Sequence, residues 1–316
     1  MSGEVIPLSK KYTEKCFDGR AWLVFEKFDG VPIRIDLSYG EGNELEATAQ
    51  TRPGKKAASS VDHIVEYVKL QFGNLAPCVI VGEVVHRTVF EFKDVSGMVR
   101  KDTPNPELYM QVFDFYAPGH THYYHRMTYP HQLLKEPDGA ARMPFCAAAD
   151  SVEEYRAVQY EIRKKSSTPE QWFEGFILRD RNCLFEPAKR QPGYLKDVIE
   201  PTVDLSIVGW LEAVSQDGSP LGMVGGLIAD YKGKRIGIGP GKMTHPERKA
   251  LFEEYAYKQV GLPDKPNQEW FSWARDGEPG FSRIAEIKHK RDPSYTALRQ
   301  PTFQWWRDDK KEPSYE

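Results

Sequence analysis

The sequence predicts an α+β protein with two domains, of which the second is a small β-barrel. The chain has 316 residues, which is enough for two domains of ordinary size. Hydrophobic residues make up 40% of the chain and charged residues 28%, proportions that are typical of globular proteins. Helical and strand-like patterns alternate up to about residue 200, and short strand-like segments dominate after it.

The first predicted strands lie at residues 20–28 and 31–37. The first segment is rich in Trp, Val and Phe, and the second alternates apolar and polar side chains with a period of two. Asp29 and Gly30 separate the segments and form a favoured hairpin dipeptide. We therefore expect the two strands to pair as a β-hairpin.

Two helices and three more strands follow in the first domain. A helix is predicted over residues 59–72, because apolar side chains recur on one face and Ser59 with Asp62 resembles a capping box. Ser151 with Glu154 gives the same signal for a second helix. The further strand candidates are residues 78–85, 108–115 and 173–179.

The pattern changes near residue 201, so we place the domains at residues 1–201 and 202–316. The second domain has strand-like segments at residues 203–214, 221–231, 235–239 and 281–290. One helix begins after Thr244, which is followed by Glu247, and extends to about Val260. Several short strands with a single helix are typical of the small barrel called the oligonucleotide-binding (OB) fold.

Charge, cysteine content and hydropathy exclude several classes of protein. The net charge is −3, and no part of the chain is a basic tail. Four cysteines are widely spaced without a Cys-x-x-Cys pair, so we expect neither a zinc site nor a disulfide framework. Because apolar runs are short and no signal or lipidation pattern is present, we expect a soluble, cytoplasmic protein with no membrane partner.

Residues 27–30 read Lys-Phe-Asp-Gly and place a lysine at a strand end, directly before the predicted turn. A lysine attacks phosphorus only as the neutral amine, and its ordinary pKa near ~10.4 leaves roughly one in a thousand molecules neutral at pH 7. Desolvation or a nearby cation would have to lower the pKa of Lys27. The alternative is an ordinary surface hairpin with a solvated lysine.

Further motifs follow Lys27 in a fixed order. They read Arg-Pro-Gly-Lys at residues 52–55, Val-Gly-Glu-Val at 81–84, Val-Phe-Asp-Phe at 112–115, Glu-Gly-Phe-Ile-Leu-Arg at 174–179 and Gly-Tyr-Leu-Lys-Asp at 193–197. A last motif starts at residues 297–303 and continues to Arg307 and Lys310. With residues 27–30, this ordered set resembles the motifs of the covalent nucleotidyltransferases, and among them the small, bacteriophage-like ATP-dependent DNA ligases.

The resemblance implies a nucleotidyltransferase (adenylation) domain followed by the OB-fold domain, and an enzyme that seals nicks in double-stranded DNA. Lys27 would attack the α-phosphate of ATP, with Mg²⁺ as cofactor, and form a lysyl-adenylate. AMP would pass to the 5′-phosphate at the nick, and the 3′-hydroxyl would displace it. The family also implies a monomer with a role in DNA repair, replication and recombination, working inside a cell such as a phage-infected bacterium.

The resemblance assigns roles to matched residues. Glu83 and Glu174 would bind the ribose and, with Asp29, Mg²⁺, as oxygen ligands suit that ion. Phe113 would stack on adenine. The other predicted nucleotide contacts are Glu26, Lys27, Lys196, Arg299 and Lys310. The predicted contacts to phosphate at the nick are Arg34 and Arg52.

Two positions depart from the family pattern. Pro32 stands where the family usually carries an arginine, so we expect Arg34, on the same strand face, to replace it. The fifth motif usually reads Lys-x-Lys, but only Lys196 is present. Lys196 matches either the first lysine, with Val198 at the second position, or the second lysine, with Tyr194 at the first.

Two other readings stay open. An RNA ligase or an mRNA-capping guanylyltransferase shares the lysine chemistry, and a catalytically inactive nucleic-acid-binding module would share the scaffold. For the DNA ligase that the resemblance implies, local basic clusters are candidates for binding DNA. The clusters are Arg283, Lys288, Lys290 and Arg291, and Lys232, Lys234 and Arg235.

Overall fold

The computed structural model describes residues 6–119, 122–255, 270–272, 283–290 and 297–315. The chain divides into two units, Met1–Val198 and Ile199–Glu316. The first unit mixes strands and helices, and the second consists mainly of strands.

The first unit contains two five-stranded sheets. Its described strands are β1 (Leu8–Lys11), β2 (Trp22–Glu26), β3 (Val31–Tyr39), β4 (Leu45–Thr51), β5 (Cys78–His86), β6 (Leu108–Tyr116), β7 (Ala141–Arg142), β8 (Cys146–Ala149), β9 (Gly175–Asp180) and β10 (Arg190–Val198). Its described α-helices are α1 (Asp62–Phe72), α2 (Phe92–Val99), α3 (Tyr123–Leu133) and α4 (Val152–Lys165). One sheet has the order β1-β10-β9-β2-β8 and the other β4-β3-β5-β6-β7.

Each sheet covers an apolar core. Alternate residues of β3, β5 and β6 pack against α1 in the larger core, as the period of two and the helical face predict. On the other sheet, one face of β2, β9 and β10 packs against Tyr155 and Ile162 of α4. The opposite face of β2 and β9 contributes Phe25 and Ile177 to the larger core, so both faces of this sheet are covered.

The predicted hairpin between the first two strands is wrong. β2 pairs with β8 and β9, whereas β3 pairs with β4 and β5, so residues 27–30 pass from one sheet to the other. Gly30 permits this passage because a Cβ atom on it would lie 2.2 Å from the carbonyl oxygen of Val84 on β5. The glycine therefore marks a close approach of two backbones rather than a hairpin turn.

The two predicted helix starts have different outcomes. At the start of α4, the Glu154 N–H donates to the Ser151 hydroxyl at 3.1 Å, which confirms the predicted cap. At residues 59–61 a 3₁₀ turn precedes α1, and Ser59 makes no side-chain capping bond. The Ser59 N–H donates instead to Asp102 at 3.3 Å, a distant residue that the local pattern cannot reveal.

The described part of the second unit contains one sheet and one α-helix. The elements are β11 (Thr202–Val214), β12 (Pro220–Tyr231), β13 (Lys234–Ile238), α5 (His245–Tyr255), β14 (Trp270–Ser272), β15 (Arg283–Lys290) and β16 (Arg299–Trp306). The strand order is β13-β12-β11-β15-β16, and β14 pairs with β11. Its apolar core includes Leu205, Trp210, Leu227, Ile287 and Phe303. The predicted extension of the helix to Val260 and the start of the last predicted strand at Phe281 lie outside the described residues.

The predicted closed barrel is corrected by the strand path. Among the described residues, no ladder joins β13 to β16 at the two ends of the path: just past β13, Gly239 forms an isolated parallel bridge with Thr302, and the Lys242 N–H donates to Phe303 at 3.0 Å. Pro240 and Pro301 flank this bridge, and proline has no N–H to donate to a ladder. The second unit is therefore a curved sheet rather than a barrel closed by a continuous ladder.

The four cysteines are free, as the sequence predicts. Burial raises the pKa of the Cys16 and Cys146 thiols to about 11 and that of Cys78 to about 12, and it also raises the pKa of Cys183. Within the described part of the chain, no helix is long and apolar enough to cross a membrane.

Candidate active site

Lys27 lies directly after β2 and is held in the register of the sheet. Its N–H donates to the carbonyl oxygen of Gly175 at 2.9 Å, and its Nζ donates to Oε2 of Glu174. The side chain is only 21% exposed. Burial by itself lowers the pKa of Lys27, but the carboxylates of Glu174, Glu83 and Asp29 together raise it above the ordinary value. The sequence-based requirement for a lowered pKa is therefore not met by the protein groups alone.

Glu83 brings a second sheet to the lysine. It lies on β5, opposite Pro32 of β3 and Gln111 of β6. Burial raises the pKa of Glu83 to about 7, and Glu174 and Asp29 add to the rise, whereas Lys27 and Arg52 oppose it. The structure thus gathers five of the predicted site residues, Lys27, Asp29, Arg52, Glu83 and Glu174, into one electrostatically coupled cluster.

Gly175 explains why Glu174 can face Lys27. Its φ is +138°, and a Cβ atom on it would lie 2.1 Å from the carbonyl oxygen of Asp197 on β10. A side chain at this position would push β9 away from β10, so the Glu-Gly pair of the motif is a backbone requirement as well as a chemical one.

Phe113 occupies a β-bulge at the edge of the cluster. Val81 of β5 pairs with Asp114 and the next residue, Gly82, pairs with Val112, so Phe113 is the extra residue of β6. Its neighbours Val112 and Asp114 are fully buried, while Phe113 itself is only partly buried. The bulge turns this ring away from the core.

Tyr194 and Arg179 connect Phe113 with the cluster. The sequence assigns no role to Arg179, and Tyr194 enters only one of the two alignments of the fifth motif. The Arg179 guanidinium lies 3.5 Å from the centre of the Tyr194 ring and 5.9 Å from that of Phe113. Burial raises the pKa of Tyr194, Arg179 opposes the rise and Glu83 adds to it. The two residues face each other across the β9–β10 ladder.

A buried charge cluster supports this face of the sheet. Asp114 accepts hydrogen bonds from Arg126 at 3.0 and 3.1 Å, and Arg179 Nη2 lies 3.3 Å from Asp114 Oδ2. All three side chains have no exposed surface. The sequence points to two members of this charge cluster, because Asp114 and Arg179 belong to the matched motifs. Nothing in the sequence points to Arg126.

Glu26 precedes Lys27 at the end of β2 and lines a cavity together with Lys27 and Asp29. Since side chains alternate along a strand, Glu26 lies on the face of β2 opposite Lys27, where burial raises its pKa and Ser166 and Thr168 oppose the rise. The nucleotide contact predicted for Glu26 stays a prediction.

Arg34, Arg52 and Lys196 occupy different settings. Arg34 does share a face of β3 with Pro32, but its Nε donates to both carboxylate oxygens of Asp36 at 2.9 and 3.0 Å. Arg52 is exposed in the tight turn that follows β4. Lys196 lies opposite Ile177 in the β9–β10 ladder. Tyr194, Lys196 and Val198 share one face of β10, so the face alone does not choose between the two alignments of the fifth motif.

In the second unit, side chains that are predicted to contact phosphate pair with a carboxylate of the same unit. Arg299 begins β16. Lys310 Nζ donates to Asp204, and Arg307 donates to both Asp204 oxygens at 3.2 Å. In the basic clusters, Arg283 pairs with Asp308 at 2.9 Å and Lys288 with Glu200 at 2.7 Å. Arg291 of the first cluster lies outside the described residues.

The carboxylates suit a hard cation chemically. Asp29, Glu83 and Glu174 offer oxygen ligands, and the raised pKa of buried Glu83 indicates a site that gains from added positive charge. Among the residues that the structure describes, no group of three or more His, Cys, Asp or Glu side chains is arranged to hold a metal ion.

Comparisons with known proteins now bear on the fold. No protein-family model matches the sequence, and no curated protein matches it. Among solved structures, one named Pmar-Lig_Pre is 15% identical with a TM-score of 0.72, and the alignment covers 98% of this chain and 68% of that one. A structure from work on Lig E DNA ligases, described as DNA binding with a minimal scaffold, is 16% identical with a TM-score of 0.62 and covers 96% and 99%.

The chain has the fold of ATP-dependent DNA ligases. The bacteriophage T7 ATP-dependent DNA ligase in complex with ATP, 15% identical with a TM-score of 0.50, aligns over 97% of this chain and 99% of its own. At this level of identity, the ligase fold is what the comparisons establish. They confirm the fold that the ordered motifs predict, namely a nucleotidyltransferase domain followed by a strand-rich domain of the OB type.

Proposed function

We propose that the chain is an ATP-dependent DNA ligase that seals nicks in double-stranded DNA through a lysyl-adenylate and a DNA-adenylate. The observation that carries the proposal is the position of Lys27 at a strand end, in contact with Glu174 and coupled to Glu83 and Asp29. This arrangement lies within a fold shared with ATP-dependent DNA ligases.

In this proposal Lys27 attacks the α-phosphorus of ATP and pyrophosphate leaves in line with the new P–N bond. The amine must be neutral to attack, so the carboxylates that raise its pKa have to be neutralised first. Mg²⁺ held by Asp29, Glu83 and Glu174 would neutralise these carboxylates and the charge of the triphosphate. The protein contributes position, because the sheet register fixes the Lys27 backbone.

The surrounding residues bind the rest of the substrates. Phe113, turned out by its bulge, stacks on adenine, while Glu83 binds the ribose. Lys196 holds the α-phosphate, and Arg34 and Arg52 hold phosphate at the nick, for which Arg34 must leave Asp36. Arg299 and Lys310 bind the outer phosphates of ATP, and Lys310 must first leave Asp204.

The test is the intact mass of the purified protein after incubation with ATP and Mg²⁺. We expect a gain of one adenylate in the wild type and none in Lys27→Ala. Protein stripped beforehand with pyrophosphate that gains no mass from ATP would contradict the proposal. Nicked duplex DNA added to the adenylated protein should then be sealed and the mass gain lost.

The acceptor separates the ligase from the alternatives. We expect joining of nicked DNA with ATP in preference to joining of RNA ends, and no adduct with GTP. A guanylate adduct would favour a capping enzyme, and adenylation followed only by RNA joining would favour an RNA ligase.

We further propose that the enzyme acts as a cytoplasmic monomer in DNA repair, replication or recombination, with adenylation in residues 1–201 and DNA binding assisted by residues 202–316.

A further inference from the structure

Residues 307–315 of the second unit fold back onto β11 and are anchored there at Asp204. The backbones of Asp204 and Ser314 exchange two hydrogen bonds, of 2.8 and 2.9 Å. The Asp204 side chain, 7% exposed, accepts hydrogen bonds from Arg307 at 3.2 Å and from Lys310. One aspartate therefore holds two cations of the last motif through its side chain and a third point of the segment through its backbone.

Arg307 has little capacity left for a ligand. Its Nε and Nη2 donate to the two carboxylate oxygens of Asp309 at 2.8 and 2.7 Å. Its Nη1 donates to Asp204 and lies 3.5 Å from Oε2 of Glu286. The N–H groups of a guanidinium form a fixed fork, and both sides of this fork face carboxylates. An incoming phosphate would have to break a bidentate pair to reach Arg307.

Lys310 can change partners more readily. Within the described part of the chain, its amine pairs with one carboxylate, that of Asp204, and the side chain is 34% exposed. Its backbone is held independently, because the Lys310 N–H donates to Arg307 at 3.0 Å and the Arg307 N–H donates to Ile284 at 2.8 Å. The Asp204 carboxylate therefore occupies the charge of Lys310 but is not needed to hold its backbone in place.

The charges around Lys310 oppose the approach of phosphate. Three carboxylates meet two cations in this group. The members are Asp204, Glu286, Asp309, Arg307 and Lys310. A triphosphate that reaches the group has to compete with Asp204 for the Lys310 amine, and a binding group that is free for only part of the time lowers the apparent affinity by that fraction.

We propose that Asp204 limits the affinity for ATP by occupying Lys310 while no nucleotide is bound. The outer phosphates of ATP take over Lys310 and leave Asp204 with Arg307. Asp204 is then a positioning residue that acts through Lys310 and touches no substrate. This inference rests on the proposed function, because it requires Lys310 to bind the outer phosphates during adenylation of Lys27.

The first experiment compares Asp204→Asn with the wild type in single-turnover adenylation by ATP and Mg²⁺. We expect the ATP concentration at half-maximal rate to fall about three- to tenfold, the factor for a lysine that is free about 10–30% of the time, and the maximal rate to stay within about twofold. Asp308→Asn is the matched control, since it removes the same charge from the same turn but pairs with Arg283. It should leave both quantities unchanged.

Two further variants test the contact itself. Asp204→Glu keeps the carboxylate and should not lower the ATP concentration at half-maximal rate. Lys310→Met should raise that concentration, and adding Asp204→Asn to it should change the value little further, because the competition has lost its target. A merely structural aspartate gives the opposite sign, since a destabilised second unit would need more ATP or react more slowly. Either result in Asp204→Asn, or an unchanged ATP concentration, would overturn the proposal.

One measurement needs no change at Asp204, which matters if Asp204→Asn does not fold. In the wild type labelled with ¹⁵N-lysine, the NMR signal of the Lys310 ammonium group is identified by its loss in Lys310→Met. We expect this signal to shift when Mg²⁺ and pyrophosphate are added at a concentration that strips AMP from adenylated Lys27. An unchanged signal would overturn the release of Lys310 from Asp204. A wild type that takes no adenylate from ATP would instead overturn the proposed function, and this inference with it.

Discussion

Lys27 lies in a setting that favours its charged form. Three carboxylates surround an amine that has to be neutral to react, and their attraction outweighs the effect of burial on its pKa. Chemistry at this lysine is therefore coupled to whatever neutralises the carboxylates.

Removing Glu174, the residue in contact with Lys27, should lower the pKa of the lysine. We expect the rate of adenylation to rise with pH in the wild type and the midpoint of this rise to move to lower pH in Glu174→Gln, although the maximal rate also falls. Single-turnover adenylation measured from pH 6 to pH 10 checks this. Glu161→Gln, an exposed carboxylate on α4, is the control, and an identical midpoint in all three proteins would contradict the coupling.

Glu83 should make the first unit less stable at alkaline pH. Its folded pKa of about 7 exceeds the ordinary 4.5, so the folded state binds more protons than the unfolded state between these values, and stability falls as the pH rises through that window. Glu83→Gln removes the ionisation. We expect the variant to be more stable than wild type by about 1–3 kcal/mol at pH 8 and to differ little near pH 5, in urea unfolding followed at both pH values. A pH-independent difference would refute this.

At the scale of elements, the two helix starts form a matched pair. Ser151 caps α4 through its hydroxyl, and Ser59 makes no such bond before α1. We expect Ser151→Ala to lower the free energy of unfolding by about 1 kcal/mol and Ser59→Ala to change it by less than about 0.5 kcal/mol. Thermal unfolding of both variants measures this directly, and equal losses would show that the assigned caps are wrong.

The elements with strong local periodicity could be predicted from the sequence. The alternating segment of β3, the apolar stripe of α1 and the cap of α4 all depend on neighbours within one or two turns. The pairing of β2 could not be predicted, because residues 27–30 look like a hairpin turn and only the contact with β5 shows that the chain changes sheets.

The site residues could likewise be predicted only where a local motif specifies them. The ordered motifs include Lys27, Glu83 and Glu174, which the structure brings together: Lys27 and Glu174 flank strand ends, and Glu83 lies within β5. Arg126 could not be found this way, since it reaches Asp114 from α3, a helix without a clear amphipathic pattern that the sequence analysis did not predict.

For the whole molecule, each unit has an apolar core of its own, so we expect separate unfolding transitions. Asp204, 7% exposed, joins Arg307 and Lys310 within the second unit. Asp204→Asn should lower only the transition of that unit, by about 2 kcal/mol, because two cations lose a buried partner. Differential scanning calorimetry measures the shift.

The matched control is Asp308→Asn, which breaks the exposed pair with Arg283 in the same unit. Exposed surface pairs of this kind contribute little to stability, so we expect almost no shift. A single transition that both variants lower equally would contradict this assignment of Asp204.

The native thiols of this protein should react little with the reagents used for site-directed labelling. With pKa values near 11 or above for Cys16, Cys78 and Cys146, well under about one thiol in a thousand is ionised at pH 7.5, and maleimide reagents react with the ionised form. One new cysteine at an exposed position of each unit, such as Tyr160 and Val214, would therefore take up a fluorophore pair selectively. Energy transfer between the dyes would then follow the distance between the units through each step of the proposed reaction, without removal of any native cysteine.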